Sequence, residues 1–279
     1  MALQSPRPKA LFFDVFGTCV DWRTTVTDAL WSAAREALSS PAASLSSRIR
    51  IKASDMTYEQ WGEVAQEWRN TYLQFTRAIA RDPSIPYKTV DQHHLDALRD
   101  ILAQRELIFP RQGDVPDPLV HDGSLWDEQQ ILTLSLVWHY LAPWPETNRG
   151  LALLNTKFAT CTLSNGNVAL LTDMVAHGQM PFTHVYSAEM FQSYKPSPKV
   201  YRGAAERMGL QPAECVMVAA HLDDLKHAKL NGLRTVYVER PREERVPELK
   251  AEGVADVWVG MDEEGFVTAA RRLGIEVDS

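Results

Sequence analysis

The stretch Lys9-Ala10-Leu11-Phe12-Phe13-Asp14-Val15-Phe16-Gly17-Thr18 decides how this chain is read. Ala10–Phe13 run without polar alternation into a carboxylate, Asp14. A run of that kind suits a strand covered on both faces, and Gly17-Thr18 behind it suits a tight turn. Comparable runs return much later, at Phe158–Leu163, His184–Ser187, Val216–Ala220, Thr235–Val238 and Asp256–Val259. Amphipathic helical stretches at Val168–His177, Val200–Met208 and Leu225–Asn231 lie among them. Strands alternating with helices predict a doubly wound α/β core on a parallel sheet.

The segment from Thr24 to Trp144 carries no strand pattern. Tyr58, Trp61, Ala65, Trp68, Tyr72, Phe75 and Ile79 recur at spacings of 3 and 4, which makes one packing face of a long helix. Asp91–Arg105 and Asp127–Leu141 are further helical stretches, Pro110–Gly123 reads as a loop, and Ser39–Ser47 as a short Ser/Ala-rich one. The expected organisation is an α/β core over residues 1–22 and 145–279, with a helical module inserted over 23–144.

At about 100–200 residues per domain, 279 residues make one large domain or two smaller ones. A hydrophobic share of 45% with 23% charged residues excludes a disordered or low-complexity chain. The net charge of −7 is the wrong sign for a nucleic-acid binder that neutralises phosphates, yet a few cations suffice to bind a small anionic substrate. The three cysteines, Cys19, Cys161 and Cys215, form no CxxC pair and are expected as buried thiols in a reducing compartment. Met1–Lys9 lacks the apolar core of a signal peptide, and no run approaches the roughly 18–20 residues that span a membrane. The expectation is a cytoplasmic protein with no membrane partner.

Ligands of open parallel sheets bind beyond the carboxyl ends of the strands. The first strand delivers Asp14 there, the second Ser164-Asn165-Gly166, the third leads to Lys195, and the fourth delivers His221, Asp223 and Asp224. A carboxylate can act as a nucleophile and form a covalent intermediate. A cation at Lys195 would keep Asp14 ionised, which a nucleophile requires. Gly17 and Thr18 offer backbone N–H groups to an anion. The histidines and cysteines show no zinc-ligand spacing, and His93-His94 are adjacent. Neither a GxSxG elbow nor a GxGxxG after the first strand is present. No metal and no cofactor are expected. Glu239–Arg245, with its mixed charges, reads as a solvated loop.

Four motifs in this order resemble the haloacid dehalogenase superfamily: Asp14-Val15-Phe16-Gly17-Thr18, Leu163-Ser164-Asn165-Gly166, Tyr194-Lys195-Pro196 and the acidic segment His221–Asp224. The helical insertion matches the position of that family's cap. Phosphatases of the superfamily carry a second Asp two places after the nucleophile, because an alkoxide leaving group must be protonated. Here that place holds Phe16, as in the metal-independent (S)-2-haloacid dehalogenase branch. By the resemblance Asp14 attacks the halogen-bearing carbon, and an ester forms on Asp14. Water, activated by Asp224 or His221, then hydrolyses it with net inversion. Ser164 and Lys195 position substrate and nucleophile. Thr18 orients Asp14. Arg69, in Trp68-Arg69, meets the substrate carboxylate and the departing halide, helped by Asn165. Tyr201 matches an active-site tyrosine of the branch. The resemblance also implies a homodimer.

The chain departs from the branch in the fourth motif. Ala219, His221 and Asp223 stand where the bacterial pattern has Ser, Asn and Trp, and the insert Glu106–Gln130 is long. His221 is thereby open to two roles, base or orienting group. Alternatives to the dehalogenase are a magnesium-dependent phosphatase of the same superfamily, a related hydrolase with a non-halogenated substrate, and a non-enzymatic interaction protein. The joint presence of Asp14, Lys195 and Asp224 opposes the last.

Overall fold

The computed structural model describes residues 6–41, 44–82, 84–109 and 123–277. Most of the expected loop Pro110–Gly123, and Ala42-Ala43 of the Ser39–Ser47 stretch, lie outside the described residues. Its central element is a parallel sheet of β1 (Ala10–Phe13), β2 (Ala159–Ser164), β3 (His184–Ser187), β4 (Cys215–Ala219), β5 (Arg234–Val238) and β6 (Val257–Val259), in the order β3-β2-β1-β4-β5-β6. Phe13 lies in register with Thr162 of β2 on one side and Val218 of β4 on the other. Every residue of β1 and β4 is buried, as the unbroken apolar runs require. The strand order reverses at β1, so Asp14 leaves the sheet at its topological switch point.

The helices of the α/β unit are α6 (Thr147–Leu154), α7 (Val168–His177), α8 (Pro198–Arg207), α9 (Leu222–Leu230) and α10 (Gly265–Arg272). Phe13 meets Phe266 and Phe182 edge-on, with ring centroids 5.1 and 5.5 Å apart, which ties β1 to α10. Gly150 lets α6 approach α10 closely: a Cβ there would lie 2.3 Å from Phe266 Cβ.

The chain divides into two compact units, Met1–Trp22 with Thr76–Tyr87 and His139–Ser279, and Arg23–Phe75 with Lys88–Trp138. The inserted module drawn at 23–144 thus gives two pieces to the α/β unit. Contacts explain both. Pro143 pairs with Val20, Trp144 N–H donates to Cys19 O (3.0 Å), and Trp144 Nε1 donates to Gly17 O (3.1 Å). Within Thr76–Tyr87, Arg77 pairs with Asp223 (3.1 Å) and Tyr87 stacks on Tyr194 (5.3 Å).

Helices α1 (Trp22–Ser39), α2 (Ser47–Asp55), α3 (Tyr58–Arg81), α4 (Val90–Gln104) and α5 (Glu128–Ser135) build the second unit, α1 and α3 each giving a terminal part to the first. The apolar stripe of α3 is its buried face: Trp61, Val64, Ala65, Trp68 and Tyr72 are all inside. Trp68 meets Trp138 edge-on at 5.4 Å and donates its indole N–H to His94 O (3.0 Å). Capping boxes start α4 at Thr89/Gln92 and α5 at Asp127/Gln130. The helical stretch expected to reach Leu141 ends at Ser135 and tightens into a 3₁₀ turn, Leu136–Tyr140. The three cysteines are buried and unpaired, and burial pushes Cys161 and Cys215 up to about 12. Among the described residues, no helix is long and apolar enough to cross a membrane.

The α6–α10 contact makes a direct prediction. Gly150→Ala should destabilise the protein by about 1–3 kcal/mol through overpacking, although alanine is the better helix former. A thermal melt checks this, and an unchanged or raised midpoint would contradict the packing described.

Candidate active site

β1 releases the chain into a turn whose geometry is set by Gly17 at φ +81, a conformation that favours glycine. The turn closes through Cys19 N–H to Val15 O (2.9 Å) and Gly17 N–H to Val20 O (3.2 Å). It brings Thr18 back over Asp14, and Thr18 Oγ1 donates to Asp14 Oδ2 (2.9 Å). The same hydroxyl accepts the N–H of Ala220 (2.9 Å), so the ends of β1 and β4 are stitched through it.

Asp14 is 7% exposed and is surrounded by donors. Lys195 Nζ donates to Oδ1 (3.0 Å), while His221 Nδ1 joins Thr18 at Oδ2 (3.1 Å). Lys195 also donates to Asp224 Oδ2, whose other oxygen accepts Tyr201 OH (2.6 Å). Asn165 latches this lysine: its Oδ1 accepts Lys195 N–H (2.7 Å) and its Nδ2 donates to Lys195 O (3.2 Å). Ser164, the last residue of β2, and Phe16, in the turn after β1, are both buried. In the α/β unit Asp14, Lys195, Asp224, His221, Thr18, Tyr201 and Asn165 therefore form one bonded cluster. Two of them have partners that the sequence does not name. Asn165 spends its amide on the Lys195 main chain, and Tyr201 spends its hydroxyl on Asp224.

Arg69 belongs to the second unit. It is 3% exposed there, and its guanidinium lies 4.7 Å from the Tyr72 ring. Tyr72 in turn stacks near His94, which lies flat on Trp138 at 4.5 Å.

The loop after β5 overturns one expectation. Glu239–Arg245 is not a solvated charge run, because Arg240 and Glu243 are buried. Arg240 donates to Thr18 O (3.1 Å) and pairs with Glu146 (2.6 Å). Glu243 Oε2 meets His221 Nε2 (2.9 Å), and its Oε1 accepts Trp22 Nε1–H (2.6 Å). Composition alone conceals this. The available signal was positional: the loop leaves the carboxyl end of a fifth parallel strand, on the ligand edge.

The electrostatics follow from these contacts. Burial pushes the Asp14 carboxyl up, but the Lys195 charge and the bond and charge of His221 outweigh it, so Asp14 lies well below the usual carboxylate range. Burial pushes Asp224 up; Lys195 opposes that, the Asp14 charge adds to it, and the net direction is upward. Burial would discharge Lys195, yet the two carboxylates hold it charged above its ordinary range. Burial likewise disfavours the His221 cation, but hydrogen bonds to Asp14 and Glu243 raise it to about 9. At neutral pH the cluster is an ionised Asp14 held between two cations. Among the described residues, no three His, Cys, Asp or Glu side chains are grouped to hold a metal ion.

The family model for haloacid dehalogenase-like hydrolases matches residues 8–232. The chain belongs to that family. This haloacid dehalogenase-like hydrolase is 30% identical over 106 residues to (S)-2-haloacid dehalogenase 1 of a Pseudomonas species, a match that covers 37% of the chain and 47% of the relative. It is 25% identical over 201 residues to a phosphoglycolate phosphatase of Neisseria meningitidis, covering 61% of the chain and 83% of the relative. The crystal structure of the defluorinating L-2-haloacid dehalogenase Rha0230 superposes with a TM-score of 0.76 at 27% identity, covering 98% of this chain and 99% of that one.

An NMR titration of the His221 ring tests the cluster. Its midpoint should lie near 9, and Asp14→Asn should bring it down. Because the folded-state value is raised, the stability His221 contributes is complete below about 6.5 and is lost as pH rises through about 9. A ring that titrates at or below 6.5 would contradict the ion-paired arrangement.

Proposed function

We propose that this hydrolase cleaves the carbon–halogen bond of short (S)-2-haloacids through an ester on Asp14. One observation carries the reading. Asp14 is an ionised, donor-held carboxylate, and the position that would supply a phosphatase with its acid is the buried Phe16. A halide departs without a proton, whereas an alkoxide needs one. The similarity to (S)-2-haloacid dehalogenase 1 and to Rha0230 supports the same choice.

In the first step an Asp14 oxygen attacks the halogen-bearing carbon opposite the halide, and the carbon–oxygen bond forms as the carbon–halogen bond breaks. Lys195 and Thr18 aim the carboxylate. In the second step water attacks the ester carbonyl carbon of Asp14, leaving the substrate carbon untouched. The single inversion of the first step therefore survives, and an (S)-2-haloacid gives an (R)-2-hydroxyacid. The unpaired thiols fit a reducing, cytoplasmic setting.

Halide release from (S)-2-chloropropionate, with EDTA and with magnesium, tests the proposal. The expected result is release that does not depend on added metal and falls at least about a thousandfold in Asp14→Asn. Release of phosphate from phosphoglycolate with magnesium, and none of halide, would turn the reading to a phosphatase.

A further inference from the structure

We propose that Glu243 is a positioning residue for ester hydrolysis: it holds the His221 ring so that Nδ1 faces the Asp14 carboxyl group and takes the proton of the attacking water. The proposal rests on the aspartyl-ester reading above and assigns its second step.

Geometry carries it. The Glu243 side chain is 4% exposed, and both oxygens have partners from other segments, Oε2 at His221 and Oε1 at Trp22. The nucleophile turn is shaped around it, because a Cβ on Gly17 would lie 2.1 Å from Glu243 Oε2. Arg240, earlier in the same loop, donates to Thr18 O, so loop and turn are held together. An ionised carboxylate only accepts hydrogen bonds, so Glu243 keeps a proton on Nε2 and leaves Nδ1 to Asp14. Asp224 is the poorer base by position, since Lys195 and Tyr201 already occupy its two oxygens.

The charge change at Asp14 then switches the ring. While Asp14 is a carboxylate, both ring nitrogens have anionic acceptors and the ring is a cation. Once Asp14 is esterified, the Nδ1 proton has lost its anionic acceptor and passes to solvent. Water gives a proton to Nδ1 while its oxygen bonds to the Asp14 carbonyl carbon. The tetrahedral intermediate breaks the bond between that carbon and the hydroxyacid oxygen, and the Nδ1 proton moves to that oxygen. The new carboxylic acid returns its proton to Nδ1, which restores the pair. One halide and one proton leave per turnover. The charged groups touching the ring are Asp14 and Glu243. Lys195 reaches Asp14 through its other oxygen, Asp223 and Asp224 follow on α9, Glu244 accepts the N–H of Leu222, and Arg240 lies behind the turn.

Rapid-quench kinetics on Glu243→Gln with (S)-2-chloropropionate separates the two steps. The expected result is a retained halide burst, ester on the Asp14 peptide by mass spectrometry, and hydroxyacid release slowed about a hundredfold. The acid limb of ester hydrolysis should move to lower pH, because removing an anion lowers the pKa of the base. In a His221→Asn background, Glu243→Gln should add nothing. Trp22→Phe, which keeps the carboxylate and loosens it, should slow the same step less and serves if Glu243→Gln does not fold. Equal losses in both steps, no loss in either, or additive effects with His221→Asn would overturn the proposal. A wild type that releases no halide would instead sink the dehalogenase reading. The His221 NMR midpoint, which needs no substrate, then decides on Glu243: a fall in Glu243→Gln supports its hold on the ring, and an unchanged midpoint overturns it.

Discussion

The Lys195 ammonium between two buried carboxylates is the contact on which this site depends. Asp14 directly follows β1, Asp224 lies in the first turn of α9 just beyond β4, and β1 and β4 pair directly. Burying either carboxylate alone would cost several kcal/mol, and burying both without a cation would force one to protonate. Lys195 is the shared counter-charge, and the fold invests in placing it. Asn165 ties down its backbone at both ends, and Tyr201 turns Asp224 towards it. Removing the lysine would strand two carboxylates, so its loss should harm folding as well as chemistry.

His221 and Glu243 extend the same logic on the other side of Asp14. Read across the site, the groups alternate as Asp224, Lys195, Asp14, His221 and Glu243, with Trp22 closing the row. Each anion faces cations and each cation faces anions, which is how charged groups are tolerated inside a protein. The row explains why His221 can stand where the related bacterial pattern has an amide. Asp14 meets only Nδ1 of a histidine there; Nε2 needs a second acid, and the loop after β5 brings it.

Much of the core was legible because it obeys simple rules. Ala10–Phe13 and Val216–Ala220 are apolar at successive positions because both faces are buried there, and the α3 stripe is a buried face at helical spacing. The strand-end rule located Asp14, Ser164, Lys195 and the His221–Asp224 segment. Glu243 was hidden because its neighbours are charged and Arg242 and Glu244 resemble a solvated run; only tertiary placement turns one glutamate inward. The unit boundaries escaped for a similar reason. α3 is one continuous helix, and nothing in its periodicity marks where Thr76 begins to pack with the α/β unit. Asn165 and Tyr201 stand out in the sequence only through the resemblance, and their partners, Lys195 and Asp224, depend on distances that spacing does not encode.

The central claim is that Asp14 itself bonds to the substrate carbon. A single turnover in heavy-oxygen water, with enzyme in excess over (S)-2-chloropropionate, tests it most directly. The account predicts that the heavy atom appears in the Asp14 carboxylate and that the hydroxyacid carries the oxygen Asp14 began with. Heavy oxygen in the hydroxyacid after one turnover, with none in Asp14, would show that water attacks the substrate carbon directly and would contradict the account.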